Sequence, residues 1–155
     1  FLTLDKLAAL FTAHESDPGQ RTAQVALAQA MTRLVHGVLG LEAAERITGA
    51  LFSNSLDELS EDDFGQLAQD GMPSSAGPDG ISLVDVLVSS GLAVTPKGEV
   101  TVGQARKLIL GNSVSINGMK QADIDLTLTS KAALFGRFFV IQKGKKNHHL
   151  LILSN

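Results

Sequence analysis

The period of the hydrophobic pattern changes along this 155-residue chain, and that change limits the fold more than any other feature. In the first 70 residues apolar side chains recur every three or four positions. Leu27, Met31, Leu34, Val35 and Val38 make one stripe, and Leu41, Ala44, Ile47, Leu51 and Phe52 make another. This spacing puts the side chains on one face of an α-helix, and each stripe must then pack on something. Farther on, Val114-Ser115-Ile116 alternates and runs into Asn117-Gly118, a pair suited to a type I′ hairpin turn because both central residues need positive φ. Phe138 to Ile141 and Leu150 to Leu153 are apolar runs on either side of Lys143-Gly144-Lys145-Lys146-Asn147, a second hairpin with a basic tip. Helices first and mainly antiparallel strands later predict an α+β chain.

The helix ends are also legible. Thr3 is placed to cap a helix through about Ala13, and Asp17-Pro18 supplies an N-cap followed by proline at the first helical position. Ser60 with Asp63, Ser82 with Asp85, and Thr101 with Gln104 have the three-residue spacing of a capping box. They predict helices through about Gln69, up to Gly91, and from Val102 to Leu110 with Gly111 as the stop. Residues 71–80 hold three Gly and two Pro with no apolar period and read as a flexible linker. The expected organisation is a helical cluster over 1–70, a linker over 71–80, and over 81–155 a module of two short helices beside a small sheet.

Hydrophobic residues make up 44% and charged residues 19%, which argues for a packed core rather than disorder. No apolar run reaches the roughly 18–20 residues of a bilayer-spanning helix, and Phe1-Leu2-Thr3 lacks a basic, cleavable start, so a cytoplasmic protein without membrane contact is expected. With no cysteine the chain has no disulfide, thiolate metal site or thiol nucleophile. The net charge of −3 conceals a strong asymmetry. Residues 1–96 carry four basic and thirteen acidic side chains, a net of −9, whereas the last 59 carry nine basic and three acidic, a net of +6. The C-terminal part is therefore suited to a polyanion.

The helix Val102 to Leu110 turns Ala105, Leu108 and Ile109 inward and sends Arg106 and Lys107 to the solvated side. A strand, the Asn-Gly turn and Lys120 follow directly, so cations can gather at one edge of a small sheet where RNA phosphates would meet them.

Val102-Gly103-Gln104-Ala105-Arg106-Lys107-Leu108-Ile109, followed by Gly111-Asn112-Ser113-Val114-Ser115-Ile116-Asn117-Gly118, resembles the small RNA-binding domain named after ribosomal small-subunit protein four. The resemblance implies that Gln104, Arg106, Lys107 and Asn112 sit at the RNA surface, with Val114, Ile116 and Gly118 structural. Thr32-Arg33-Leu34-Val35-His36-Gly37 and Gly40-Leu41-Glu42-Ala43-Ala44-Glu45-Arg46-Ile47-Thr48 resemble the helical anticodon-binding segment of bacterial tyrosyl-tRNA synthetases. Leu134-Phe135-Gly136-Arg137-Phe138 and the basic tip are similar to the C-terminal hairpin of the same family. These resemblances imply a tRNA-binding C-terminal region that recognises the anticodon stem-loop and long variable arm of tyrosine tRNA. Its RNA-facing residues would further include Lys120, Arg137, Lys143, Lys145, Lys146 and His148. The family is an ATP-dependent class I ligase that uses ATP and Mg and forms a homodimer through its catalytic domain. The family's His-x-Gly-His and Lys-Met-Ser-Lys-Ser signatures do not occur in this chain, so it is expected to be non-catalytic and to hold no cofactor.

Other residue groups have simpler readings. His148 and His149 are adjacent, so a strand would point them to opposite faces, a poor start for a metal site. Glu61-Asp62-Asp63 fits the first turn of a helix, where negative charge is favoured. His36 ends a helix, and Ser82 and Ser113 lack a convergent His and acid for a hydrolase triad. Contact with an anticodon stem and a solvated helix face account equally well for Arg21, Arg33 and Arg46. A protein-interaction module, or the RNA-binding module of another RNA-modifying or ribosome-associated protein, is the alternative to the synthetase reading.

Overall fold

The structure, a computed structural model, describes residues 3–53, 55–69 and 72–154. Phe1, Leu2 and Gly71, which entered the readings of the N-terminus and of the linker, lie outside the described residues. The chain divides into two compact units, 1–48 and 49–155.

In the first unit, α1 (Leu4–Ser16) starts where Thr3 Oγ1 accepts a hydrogen bond from the Lys6 N–H at 3.4 Å. Asp17 then caps a single 3₁₀ turn, Pro18–Gln20, accepting from the Gly19 N–H at 3.1 Å. Helix α2 (Thr22–Ser53) follows and is broken once, at Gly37. There φ is 73° and ψ is −171°, a conformation open essentially to glycine alone. Beyond the break the inward pattern holds for Leu41 and Ile47, which are buried.

The stripe before the break departs from expectation. Leu34 and Val35 are 69% and 67% exposed, and Leu27, Met31 and Val38 are exposed as well. The segment after the break meets the one before it elsewhere, where Gln29 Nε2 donates to Glu45 Oε1 at 2.7 Å. Phe52 was expected inward and is instead 85% exposed, with Ala50 in the buried position.

The second unit is the α+β body. Ser60 and Asp63 cap α3 (Glu61–Gln69) reciprocally: the Ser60 N–H donates to Asp63 Oδ2 at 2.9 Å, and the Asp63 N–H donates to Ser60 Oγ at 3.3 Å. At α4 (Leu83–Ser89) the Asp85 N–H donates to Ser82 Oγ at 3.1 Å and Ser82 Oγ donates to Asp85 Oδ2 at 2.7 Å, and at α5 (Val102–Leu110) the Gln104 N–H donates to Thr101 Oγ1 at 3.1 Å. The main sheet has five strands in the order β1-β7-β6-β3-β4, where β1 is Ser74–Pro78, β3 Val114–Ile116, β4 Met119–Gln121, β6 Phe138–Lys143 and β7 Asn147–Ser154. Both expected hairpins are present, β3/β4 around Asn117-Gly118 and β6/β7 around the basic tip. A small second sheet pairs β2 (Ile81–Ser82) with β5 (Thr127–Leu128).

Residues 71–80 are not a linker where they are described. Ser74–Pro78 is an edge strand that runs parallel to β7, in register from Ser74 opposite Leu150 to Pro78 opposite Ser154. The glycine that suggested flexibility serves close packing: a Cβ on Gly77 would stand 3.1 Å from both Ile81 Cδ1 and Leu151 Cδ1. Pro78, lacking an N–H, is tolerated at the end of an edge strand.

One face of the sheet carries Val114, Ile116, Ile141, Leu151 and Leu153, which join Leu83, Leu87, Ala105 and Ile109 of α4 and α5 in the main core. On the other face the fully buried Phe64 of α3 stacks on Phe138, with ring centroids 5.2 Å apart and planes 17° apart.

Candidate nucleic-acid interface

Helix α5 places its residues as its period requires. Ala105 and Ile109 are fully buried, and Arg106 and Lys107 are exposed on the outer side. Gln104 is half-buried, its N–H held by Thr101 Oγ1 at 3.1 Å. After Gly111, Asn112 takes a left-handed conformation with φ of 50°, which turns the chain from helix into β3 and leaves Asn112 exposed.

The β6/β7 hairpin returns to this corner. The Gly144 N–H donates to the Ser113 carbonyl at 3.1 Å, so the basic tip is tied to the turn that follows α5. A groove of about 470 Å³ opens there, lined by Leu108, Ser113, Lys143, Gly144, Lys145, Lys146 and Asn147. Lys145 and Lys146 are exposed. Lys143 is half-buried, and its ammonium donates to the Leu92 carbonyl at 2.6 Å, which ties the hairpin to the connection between α4 and α5.

The remaining expected contacts fall elsewhere. Lys120, Ser115, Gln142 and His148 stand in one row across four strands, and residues opposite one another in a sheet share a face. Val114 and Ile116 turn to the α5 side, so by alternation the row with Lys120 and His148 lies on the opposite face. Arg137 sits at the start of β6, roughly 20 Å of strand from the tip. Its guanidinium lies 5.0 Å from the centroid of the Phe138 ring and 3.7 Å from Glu61 Oε1. The ten expected residues thus divide into the lysines of the hairpin tip with Asn112 in the turn after α5, Gln104, Arg106 and Lys107 along α5 itself, Lys120 and His148 in a row on the far face of the sheet, and Arg137 just before β6.

Adjacent His148 and His149 do part as strand geometry requires. His149 is buried, with Nε2 2.8 Å from Ser75 Oγ, and burial lowers its pKa below the usual histidine value. Among the described residues no three His, Asp or Glu side chains gather in a way that could hold a metal ion. No helix among them is long and apolar enough to cross a membrane.

The sequence reading missed two features of this unit. Leu108 and Ser113, read as an inward residue and an ordinary serine, form a wall of the groove. Phe135 is half-exposed with φ of 51°, in the left-handed region that bulky residues avoid. The Gly136 that follows it, also at positive φ, was the available signal for an unusual turn.

A capped helix laid against a small sheet, with lysines raised on a hairpin beside the helix end, defines the class of small α+β modules whose basic corner suits an RNA backbone. Residues 63–151 match the tyrosine–tRNA ligase SYY-like C-terminal domain. The chain is 44% identical over 151 residues to the tyrosine–tRNA ligases of Escherichia fergusonii, Escherichia coli strain K12 / DH10B and Shigella boydii serotype 18. In each comparison the match covers 97% of this chain and 34% of the relative, so the chain spans about a third of the length of those enzymes. This chain belongs to the tyrosine–tRNA ligase family, to its C-terminal domain.

Proposed function

We propose that the chain is the tRNA-binding C-terminal region of a cytoplasmic tyrosine–tRNA ligase, and that it holds tyrosine tRNA for aminoacylation by a catalytic region outside this sequence. The observation that supports this most is the corner where the exposed Lys145 and Lys146 stand beside the end of α5, in a chain 44% identical to such ligases. Phosphates are held there by charge, and Arg106 and Lys107, preorganised on a packed helix, add contacts from the neighbouring surface. Lys120, His148, Gln104 and Asn112 extend the surface along the sheet and the helix ends. The second unit takes the long variable arm, and the helical first unit takes the anticodon stem-loop, to which Arg21, Arg33 and Arg46 can contribute.

ATP and Mg act in the catalytic region of such a ligase. Among the described residues no three His, Asp or Glu side chains gather as a Mg site would require, so no step of that chemistry is assigned to this chain. The parent enzyme is a homodimer through that catalytic region. The exposed stripe of Leu27, Met31, Leu34, Val35 and Val38 is the face on which the rest of the enzyme rests, since patches of this kind mark contact surfaces.

Binding of tyrosine tRNA, and of a variant tRNA lacking the long variable arm, measured across a salt series tests the reading. The expected result is preference for the intact tRNA and a linear fall of log K with log salt. Equal binding of both tRNAs would remove the variable-arm assignment, and salt-independent binding would remove the phosphate contacts.

A further inference from the structure

We propose that Phe135 forms a stacking site for one unpaired nucleobase of the bound tRNA. The proposal rests on the tRNA-binding reading above and adds a contact at the far end of β6 from the lysine tip.

Three phenylalanine rings form a continuous ladder here. Phe135 lies 6.0 Å from Phe64 at 57°, and Phe64 lies 5.2 Å from Phe138 at 17°. The inner two rings are buried, at 0% and 4% exposure, whereas Phe135 is 52% exposed. The Arg137 guanidinium, also half-exposed, lies over Phe138. The half-exposed Phe135 ring is thus one end of the ladder, backed by buried Phe64, while Arg137 covers the Phe138 end; an exposed aromatic face is a surface on which bases stack.

The backbone holds the ring in place at a cost. Phe135 has φ of 51°, which is unfavourable for any residue with a Cβ and more so for a bulky one. The turn is secured by hydrogen bonds from the Leu134 N–H to Phe138 O at 2.9 Å, from Gly136 to Ala133 O at 3.2 Å, and from Arg137 to Leu134 O at 3.1 Å. Burying a ring would repay such strain, but half of this one stays in water. Strained backbone of this kind gathers where a side chain is held for a ligand.

The Phe135 face suits a neutral base rather than a phosphate. Glu61 and Asp62 occupy the first turn of α3, and Glu61 Oε1 is 3.7 Å from Arg137. Arg137 thus has a carboxylate partner of its own, and the Phe135 face offers a base a contact that needs no charge.

The chain has no Trp and no Tyr, which makes the test direct. Phe135→Trp introduces its one indole, and tyrosine tRNA should quench that emission with the midpoint of binding seen by labelled tRNA. Phe135→Leu keeps an apolar contact with Phe64 but removes the flat face. It should weaken tRNA binding about tenfold without altering the salt slope, because stacking releases no counterion. Circular dichroism checks both folds, and the Leu variant decides if the Trp variant is misfolded. Unchanged indole emission at saturating tRNA, or unchanged affinity in Phe135→Leu while Lys145→Ala/Lys146→Ala binds more weakly, overturns the stacking site alone. Absence of tRNA binding by the unaltered chain overturns this site and the tRNA-binding reading together.

Discussion

Asn117 and Val140 exchange two hydrogen bonds across the sheet: the Asn117 N–H donates to Val140 O at 2.9 Å, and the Val140 N–H donates to Asn117 Oδ1 at 2.9 Å. The turn residue of one hairpin is thereby bonded to the first strand of the other. Asn117 also holds φ of 48°, which Asn tolerates better than other residues with a Cβ.

Asn117→Ala removes the acceptor of a part-buried amide and adds left-handed strain, so it should cost about 2–4 kcal/mol. Asn117→Gly relieves the strain but not the lost acceptor, and should cost about 1–3 kcal/mol. Urea midpoints of the two variants check the order. Equal stability of Ala and Gly would show that strain plays no part.

The Ser75–His149 contact joins the first and last strands of the sheet. Burial lowers the His149 pKa, so the folded state binds a proton less readily than the unfolded state, whose value stays near 6.5. The contribution to stability is complete above about pH 6.5, falls as pH drops below it, and levels off under the folded pKa. Unfolding free energies at a series of pH values should show this loss on the acid side, and His149→Gln should flatten it.

Lys143 and its neighbours on the same hairpin should behave oppositely. Lys143→Met removes a charged donor from Leu92 O and should cost about 1–3 kcal/mol of stability, with little change in the salt slope of tRNA binding. Lys145→Ala/Lys146→Ala removes two exposed charges and should leave the fold intact while reducing that slope by roughly 1–2 units. Thermal melts beside salt titrations separate the two roles.

Arg106 lies on the outer side of α5, next to buried Ala105. Arg106→Lys keeps the charge but loses the planar fork that grips a phosphate or base edge through two hydrogen bonds, so tRNA affinity should fall several-fold. Equal affinity of the two forms would reduce Arg106 to a diffuse charge.

Local chemistry sufficed for the caps and hairpins. Ser60 with Asp63, Ser82 with Asp85 and Thr101 with Gln104 are bonded within three residues, and Asn117-Gly118 needs only its own positive φ angles. Interactions that close over a few residues are written in the sequence that makes them. The same holds for the inward face of α5, which follows from the helical period and one adjacent sheet.

The tertiary structure decided what depends on distant partners. Ser74–Pro78 is short, rich in small residues and without alternation, and it becomes a strand only because β7 offers an edge some 75 residues later, with Gly77 small enough to pass Leu151. Lys143 looks like its basic neighbours until Leu92 O supplies its acceptor, and Phe135 looks like core until the turn at Gly136 holds its ring half in water. The stripe from Leu27 to Val38 is the reverse case: its helical period was legible, but period alone names no partner, and its side chains are exposed. Periodicity records which face is apolar, whereas burial requires another surface to arrive, and that arrival is a property of the whole fold.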